Sequence, residues 1–145
     1  MTPPSPALPT GAGAAGCSGK TLAQKLGVKA RQQVLLVGAP AGWELAELPE
    51  GASLNTAADE ADVVVAFFRS AAELVEQGQR LAQLVKPRGS LWVAWPRRAG
   101  GHSSDLSDNF LREVLLPIGL VDVKVAAFDR DWSGLKFVWR RQTRL

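Results

Sequence analysis

The side chains of this sequence that could bind a ligand follow the ends of predicted strands. Arg69 with Ser70, and Arg97 with Arg98, come directly after two apolar runs, and His102 lies on the loop behind the second pair. Another predicted strand runs into a glycine-containing turn and a tryptophan, at Gly38, Gly42 and Trp43. Guanidinium groups and a helix N-terminus suit phosphate or carboxylate, and an indole face suits a planar ring. The set therefore predicts a pocket for a small anionic ligand, phosphorylated or nucleotide-like.

Each of these residues also has an ordinary structural explanation. Arginines at strand ends are commonly solvated, and tryptophans such as Trp43 and Trp95 commonly fill the core beneath loops. For any single residue we favour that explanation, whereas the convergence of the whole set favours a pocket. Both interpretations stay open at this point.

Residue types that perform catalysis or hold metals are scarce. The chain has one cysteine, Cys17, and one histidine, His102, which excludes a zinc site of four Cys or His ligands and a disulfide framework. A lone thiol fits a reducing compartment. No paired carboxylates and no nucleophile with an adjacent base can be recognised. We therefore predict no catalytic residue, no metal and no cofactor.

Residues 14–21, AAGCSGKT, match a relaxed phosphate-loop pattern. That loop works only after a buried strand, and residues 1–16 are rich in Pro, Gly and Ala without apolar periodicity. We predict a disordered tail over 1–16 and a single α/β domain over 17–145. Ser18 or Thr21 is then the cap of a short helix that carries Leu22 and Leu26 and ends at Gly27.

Composition indicates one ordinary globular domain. The chain has 145 residues, 46% of them hydrophobic and 21% charged, with a net charge of +3. Such a charge permits an anionic partner without requiring one, and no basic stripe points to nucleic acid, which we consider an unlikely partner. The longest apolar runs are far shorter than the ~20 residues that span a bilayer, and no secretory signal is visible. We predict a cytoplasmic protein without membrane contact.

Apolar patterning predicts alternating strands and helices. Helices are predicted from Ser70, as the cap, to about residue 85 and over 105–116 with Asp105 or Ser107 as the cap; Lys86-Pro87-Arg88-Gly89 is predicted as the turn after the first of them. A single helical turn is predicted over 43–48. Strands are predicted at 33–37, 53–56 (a short edge strand), 61–68, 91–95, 120–128 and 135–139.

This order predicts a three-layer, Rossmann-like α/β domain with a mostly parallel sheet that ends in an antiparallel hairpin. Because ligands bind outside the carboxyl ends of parallel strands, the predicted pocket would lie at one edge of the sheet.

The sequence resembles two families of proteins. The loose resemblance is to the C-terminal half of class I S-adenosylmethionine-dependent methyltransferases, whose landmarks the motifs at 85–89, 117–120 and 137–139 resemble. A more extensive one covers about residues 16–141 and is to the DUF3052 family, small bacterial proteins of unknown function. Its matching stretches are 16–19, 22–27, 34–48, 91–96, 116–125 and 131–140, and Lys20 departs from it.

The methyltransferase resemblance implies a core of that type but not its cofactor site. The cofactor needs a glycine-rich turn after the first strand and a carboxylate at the end of the second. Here Pro40 removes an N–H from that turn, and Asp59 and Glu60 precede a strand rather than ending one.

We therefore interpret the chain as a non-catalytic binding or interaction module with a degenerate methyltransferase-like core. Its partner would be a protein or a small anionic ligand. The alternative is a small enzyme or sensor that uses Arg69, Arg97, Arg98 and His102 on a phosphorylated or nucleotide-like ligand. Association with nucleic acid through the same cations is a weaker third possibility, and the oligomeric state stays open.

Overall fold

The computed structural model describes residues 21–98, 101 and 104–140. The predicted tail over 1–16 and the predicted site residue His102 lie outside these ranges, as does Cys17.

Within the described residues, six strands form one mixed sheet. Four neighbouring strands are parallel, and the last two form an antiparallel hairpin that joins the sheet through β6, so the predicted fold class is confirmed. The order across the sheet is β2-β1-β3-β4-β6-β5. The strands are β1 (Gln33–Val37), β2 (Ser53–Asn55), β3 (Ala61–Phe67), β4 (Val85–Pro96), β5 (Leu120–Ala127) and β6 (Trp132–Trp139).

The described helices begin at the polar caps that the sequence predicts. The first, α1 (Leu22–Leu26), has a capping box in which Thr21 Oγ1 accepts from the N–H of Gln24 at 3.1 Å, and it ends at Gly27. The others are α2 (Ala71–Gln83), capped by Ser70, and α3 (Asp108–Leu115), capped by Ser107. No helix in the described ranges is long and apolar enough to cross a membrane.

The sheet separates two apolar cores. Helices α2 and α3 cover one side, where Leu74 and Leu111 are fully buried against the sheet. The other side is covered by α1, which buries Leu26 against the sheet, and by the irregular segment 39–52; Trp92 of β4 lies in this core. The indole of Trp92 is fully buried, and its Nε1 donates to the carbonyl of Leu26 at 3.0 Å. Among the described residues, one short helix contributes to this second covering layer, whereas two helices cover the other side.

The predicted turn over residues 86–89 is wrong, because these residues belong to β4. Ala61 pairs with Val85, and Val63 pairs with Ser90. Between these two pairs β3 advances by two residues and β4 advances by five. Its extra residues bulge within the strand. A Cβ at Gly89 would lie 2.6 Å from the carbonyl oxygen of Asp62, so the close approach there requires glycine.

The predicted helical turn over 43–48 is also wrong. Residues 38–52, all of which the structure describes, contain turns but no helix. Two of them, Gly38 and Gly42, have left-handed backbones with φ of 71° and 80°. Pro40 and Pro49 lack the N–H groups that a helix would use.

Candidate functional site

The structure brings most of the predicted site residues to one edge of the sheet. β1, β3 and β4 are parallel neighbours, so Gly38, Arg69 and Arg97, which follow them, lie at the same carboxyl edge. We call this edge the rim. The hairpin turn Asp129–Asp131 lies there too, because β5 also ends at it. That turn is not among the predicted site residues. Its position nevertheless follows from the predicted hairpin, because the hairpin pairs with a parallel strand.

The guanidinium of Arg69 contacts other parts of the rim. Both of its terminal nitrogens lie 3.5 Å from the carbonyl oxygen of Gly38, and its Cζ lies 5.4 Å from the ring centroid of Trp132. An arginine over an indole face is attracted by the ring quadrupole. Arg69 therefore bridges the end of β1 and the start of β6.

Arg97 binds the hairpin turn. Its Nη1 donates to the carbonyl of Asp129 at 2.9 Å, and its backbone N–H donates to the carbonyl of Asp131 at 2.8 Å. Arg98 is exposed, and its side chain has no hydrogen bond or ion pair with any described residue. Of the predicted arginines, Arg98 is thus the one whose charge is least engaged.

The N-terminus of α2 already holds carboxylates of the protein. Asp105 Oδ1 accepts from the N–H of Ala71 at 2.8 Å, and Glu73 Oε1 accepts from the N–H of Arg69 at 2.9 Å. The hydroxyl of Ser70 accepts from the N–H of Glu73 at 3.3 Å. Negative charge at a helix N-terminus is stabilising. Carboxylates of the protein therefore occupy backbone N–H groups that the sequence analysis assigns to an anionic ligand.

Aromatic rings fill the rim on the α1 side of the sheet. Phe67 has ring centroids of Trp43 at 4.8 Å, Trp132 at 5.1 Å and Phe128 at 6.0 Å, all in edge-to-face geometry. Trp95 packs instead against the core on the α2 side. Trp43 is half-buried and packs against Phe67, so part of its ring surface is used within the protein.

A cavity of about 790 Å³ lies on the α2 side of β1. It adjoins the connection from β2 to β3, residues 56–60, which is five residues long and carries no helix. Arg80 and Asp59 are its charged lining residues, and Gly38 is the predicted site residue among them. The whole lining is Leu35, Leu36, Val37, Gly38, Ala39, Thr56, Ala57, Ala58, Asp59, Arg80 and Leu84.

Neither Arg80 nor Asp59 belongs to the predicted site. Arg80 is an exposed residue in the last turns of α2, and a helix pattern alone gives it no role. The short connection between two predicted strands could have indicated that no helix lies between them. No group of three His, Cys, Asp or Glu side chains in the described ranges could hold a metal.

The residues present do not fit the cofactor of class I methyltransferases. A Cβ at Gly38 would lie 3.0 Å from the carbonyl oxygen of Phe67, so this glycine serves the approach of two strands. No helix N-terminus follows the turn within residues 38–52. β2 ends at Asn55, an amide whose Nδ2 lies 3.4 Å from Ser53 Oγ, and not at a carboxylate.

Comparison with solved structures shows a methyltransferase-like fold. A SAM-dependent methyltransferase from Aquifex aeolicus aligns with a TM-score of 0.57 and 13% identity, over 80% of this chain and 86% of that one. The Methanococcus jannaschii fibrillarin pre-rRNA processing protein aligns with a TM-score of 0.54 and 15% identity, over 83% and 74%. A ribosomal protein L11 methylase from Lactobacillus delbrueckii subsp. bulgaricus gives 0.55 and 13%, over 83% and 76%.

Identities this low show the fold alone. No family model matches the sequence, so the resemblance to the DUF3052 family is not supported, and no curated protein matches it either. The chain has the α/β fold of class I methyltransferases, with a mostly parallel sheet and a C-terminal antiparallel hairpin.

Proposed function

We propose that this protein is a non-catalytic binding module built on a methyltransferase-like core. The observation that carries the proposal is that the protein's own side chains occupy much of the rim. Trp43, Phe67 and Trp132 pack over its α1 side, and Arg69 lies over Trp132. Arg97 is bound to the hairpin turn, and no carboxylate ends β2. The proposal needs neither a catalytic group nor S-adenosylmethionine.

Isothermal titration calorimetry with S-adenosylmethionine and S-adenosylhomocysteine tests this proposal. We expect no binding to the full chain up to millimolar ligand, and the same result for Asn55→Asp. The variant restores a carboxylate at the end of β2 but not the missing helix N-terminus or an open rim. Binding of either compound by the unaltered protein, or methyl transfer in its presence, would refute the proposal.

A small anionic ligand is the second candidate partner, and the cavity beside β1 favours it. Arg80 lines this cavity, is exposed, and has no ion pair within the described ranges. Its one hydrogen bond there is a long contact, 3.5 Å from Nη1 to Gln77 Oε1. Its guanidinium is therefore available for a phosphate or carboxylate. Gly38 and Thr56 line the cavity too, so the ligand would reach the rim without entering the aromatic cluster.

Thermal-shift measurements with nucleotides, sugar phosphates and short oligonucleotides test the second candidate. A ligand present at 100 times its Kd should stabilise the chain by about 2.7 kcal/mol. We expect the shift to be lost in Arg80→Gln and kept in Arg88→Gln, which removes an exposed arginine from the bulge of β4. Loss of the shift in Arg98→Ala, with Arg80→Gln unaffected, would move the site back to the predicted arginines.

A further inference from the structure

Two lysines face each other across the terminal hairpin. Lys124 of β5 and Lys136 of β6 are direct partners in the antiparallel register. Both lie on the α1 side, because Lys136 is also the register partner of Trp92 in β4 and the Nζ of Lys124 lies 6.0 Å from the Trp92 ring centroid. Like charges directly opposite in a sheet are destabilising. The pair therefore needs an explanation other than stability.

A third positive charge acts on Lys136. Its pKa is lowered from the usual 10.5, first by burial and then by the charges of Lys124 and Lys29. Its Nζ lies close to the end of α1, since a Cβ built on Gly27 would be 3.5 Å from it. Lys29 is exposed and follows α1 by a few residues. Lys29 lies two residues after Gly27, which the Nζ of Lys136 approaches, so we assign Lys29, Lys124 and Lys136 to one surface, which we call the lysine face.

No Asp or Glu of the described residues forms an ion pair with the lysine face. Within the described ranges the ion pairs of Asp and Glu engage Lys86 and Arg112, and none reaches Lys29, Lys124 or Lys136. All 14 acidic side chains of the sequence fall inside those ranges, so residues 1–20, 99–100, 102–103 and 141–145 contribute no further Asp or Glu. The lysine face is therefore open to an external anion.

Protection of a sheet edge explains only part of this arrangement. β5 is an edge strand with an irregular register between Asp122 and Lys124, and lysines and bulges at edges discourage pairing with other chains. Lys124 fits that role. Lys136 does not, because β6 lies between β4 and β5 and has no free edge.

We propose that Lys29, Lys124 and Lys136 bind a phosphate group. The ammonium of lysine is a compact point charge with three donors, suited to phosphate oxygens, and three of them match a polyanion such as pyrophosphate. The buried indole of Trp92 beneath them offers no open ring to a base, so recognition is of the phosphate itself. This site is on the hairpin and does not depend on the proposed function of the rim and the cavity.

The test is thermal unfolding of the full chain with pyrophosphate, against sodium chloride of equal ionic strength. We expect pyrophosphate to raise Tm for the unaltered protein and for Lys86→Gln, a control that removes a lysine paired with Asp62 at 3.5 Å. Lys136→Gln should have a higher Tm than the unaltered protein without ligand, because repulsion and burial of a charge are relieved. It should also bind pyrophosphate at least tenfold more weakly by calorimetry.

Three results would overturn the proposal. They are an equal shift in Lys136→Gln and the unaltered protein, an equal shift with chloride, and no shift with pyrophosphate. Lys124→Gln, at an exposed position, repeats the test if Lys136→Gln does not fold. Inorganic phosphate, pyrophosphate and ADP as separate probes distinguish a free phosphate from one carried by a larger molecule. Arg98→Ala and Arg80→Gln should leave the pyrophosphate shift intact, which separates this site from the rim and the cavity.

Discussion

The two faces of the terminal hairpin differ in how their charged side chains are paired. Towards α3, Asp122 of β5 accepts from Arg112 Nε at 2.9 Å, and Asp108 lies 3.7 Å from the same guanidinium. The pKa of Asp122 lies below its usual value, and the largest cause is the hydrogen bond between Asp122 and Arg112. Towards α1, two positions further along β5, Lys124 faces Lys136 without a carboxylate.

The difference separates what stabilises this fold from what does not. An ion pair between a strand and the helix that covers it is explained by the folded state alone. An opposed pair of lysines raises the free energy of the same folded state. Sequences are usually locally consistent with their fold, and departures tend to mark functional positions. The comparison therefore points to the lysine face as a place where binding has outweighed stability.

The largest expected effect is at the apolar floor of the lysine face. Trp92→Ala should lower the free energy of unfolding by about 3–5 kcal/mol, because a fully buried indole is replaced by a cavity. Urea unfolding measures this. Trp92→Phe should cost less, since it keeps one ring and loses the hydrogen bond to Leu26 and a smaller part of the buried volume. A loss below about 1 kcal/mol for Trp92→Ala would show that the hairpin does not depend on this packing.

An intermediate effect of the opposite sign is expected at Lys136. Lys136→Met should raise the free energy of unfolding at pH 7 by about 0.5–1 kcal/mol, as a like-charge pair is removed. Because the folded pKa of Lys136 is lowered, the penalty is complete below that pKa. It disappears as pH rises towards 10.5, where the folded state releases the proton before the unfolded state does.

Chemical denaturation from pH 7 upwards therefore should show the advantage of Lys136→Met shrinking at alkaline pH. Lys86→Met is the matched control, and it should give no gain because Lys86 pairs with Asp62. An equal gain in both variants would attribute the effect to added apolar surface and remove the contrast between the two faces.

The smallest effect is expected on the paired face. Asp122→Asn should lower Tm by about 1–2 °C at pH 7, since pairs near the surface contribute little. The pKa of Asp122 is lowered in the folded state, so its contribution is present above the usual value of 3.8 and is lost as pH falls through the lowered pKa. Calorimetric scans of both proteins should converge at acid pH. Asp108→Asn, at a longer distance from Arg112, should change Tm less.

Much of the fold follows from local patterns in the sequence. Apolar runs predict β1 and β3, and the caps Ser70 and Ser107 mark where α2 and α3 begin. The residues 86–89 mislead because proline and glycine favour turns, yet tertiary pairing with β3 keeps them in β4 as a bulge.

The candidate sites are less predictable, because they depend on what packs against what. Strand order alone places Gly38, Arg69 and Arg97 at one edge. Their engagement by Trp132 and Asp129 depends on the hairpin, which is distant in sequence. In the sequence, Lys124 and Lys136 look like ordinary exposed positions. Only the strand register shows that they lie opposite each other.

The short turn of the hairpin also has a kinetic consequence. β5 and β6 pair across residues 128–131, whereas β6 meets β4 across a separation of more than thirty residues, from Pro96 to Trp132. Contacts between residues near in sequence form fastest, on the order of microseconds for a hairpin. We therefore expect Lys124 and Lys136 to meet before the parallel strands assemble, so their repulsion would slow folding, and a bound anion would quicken it.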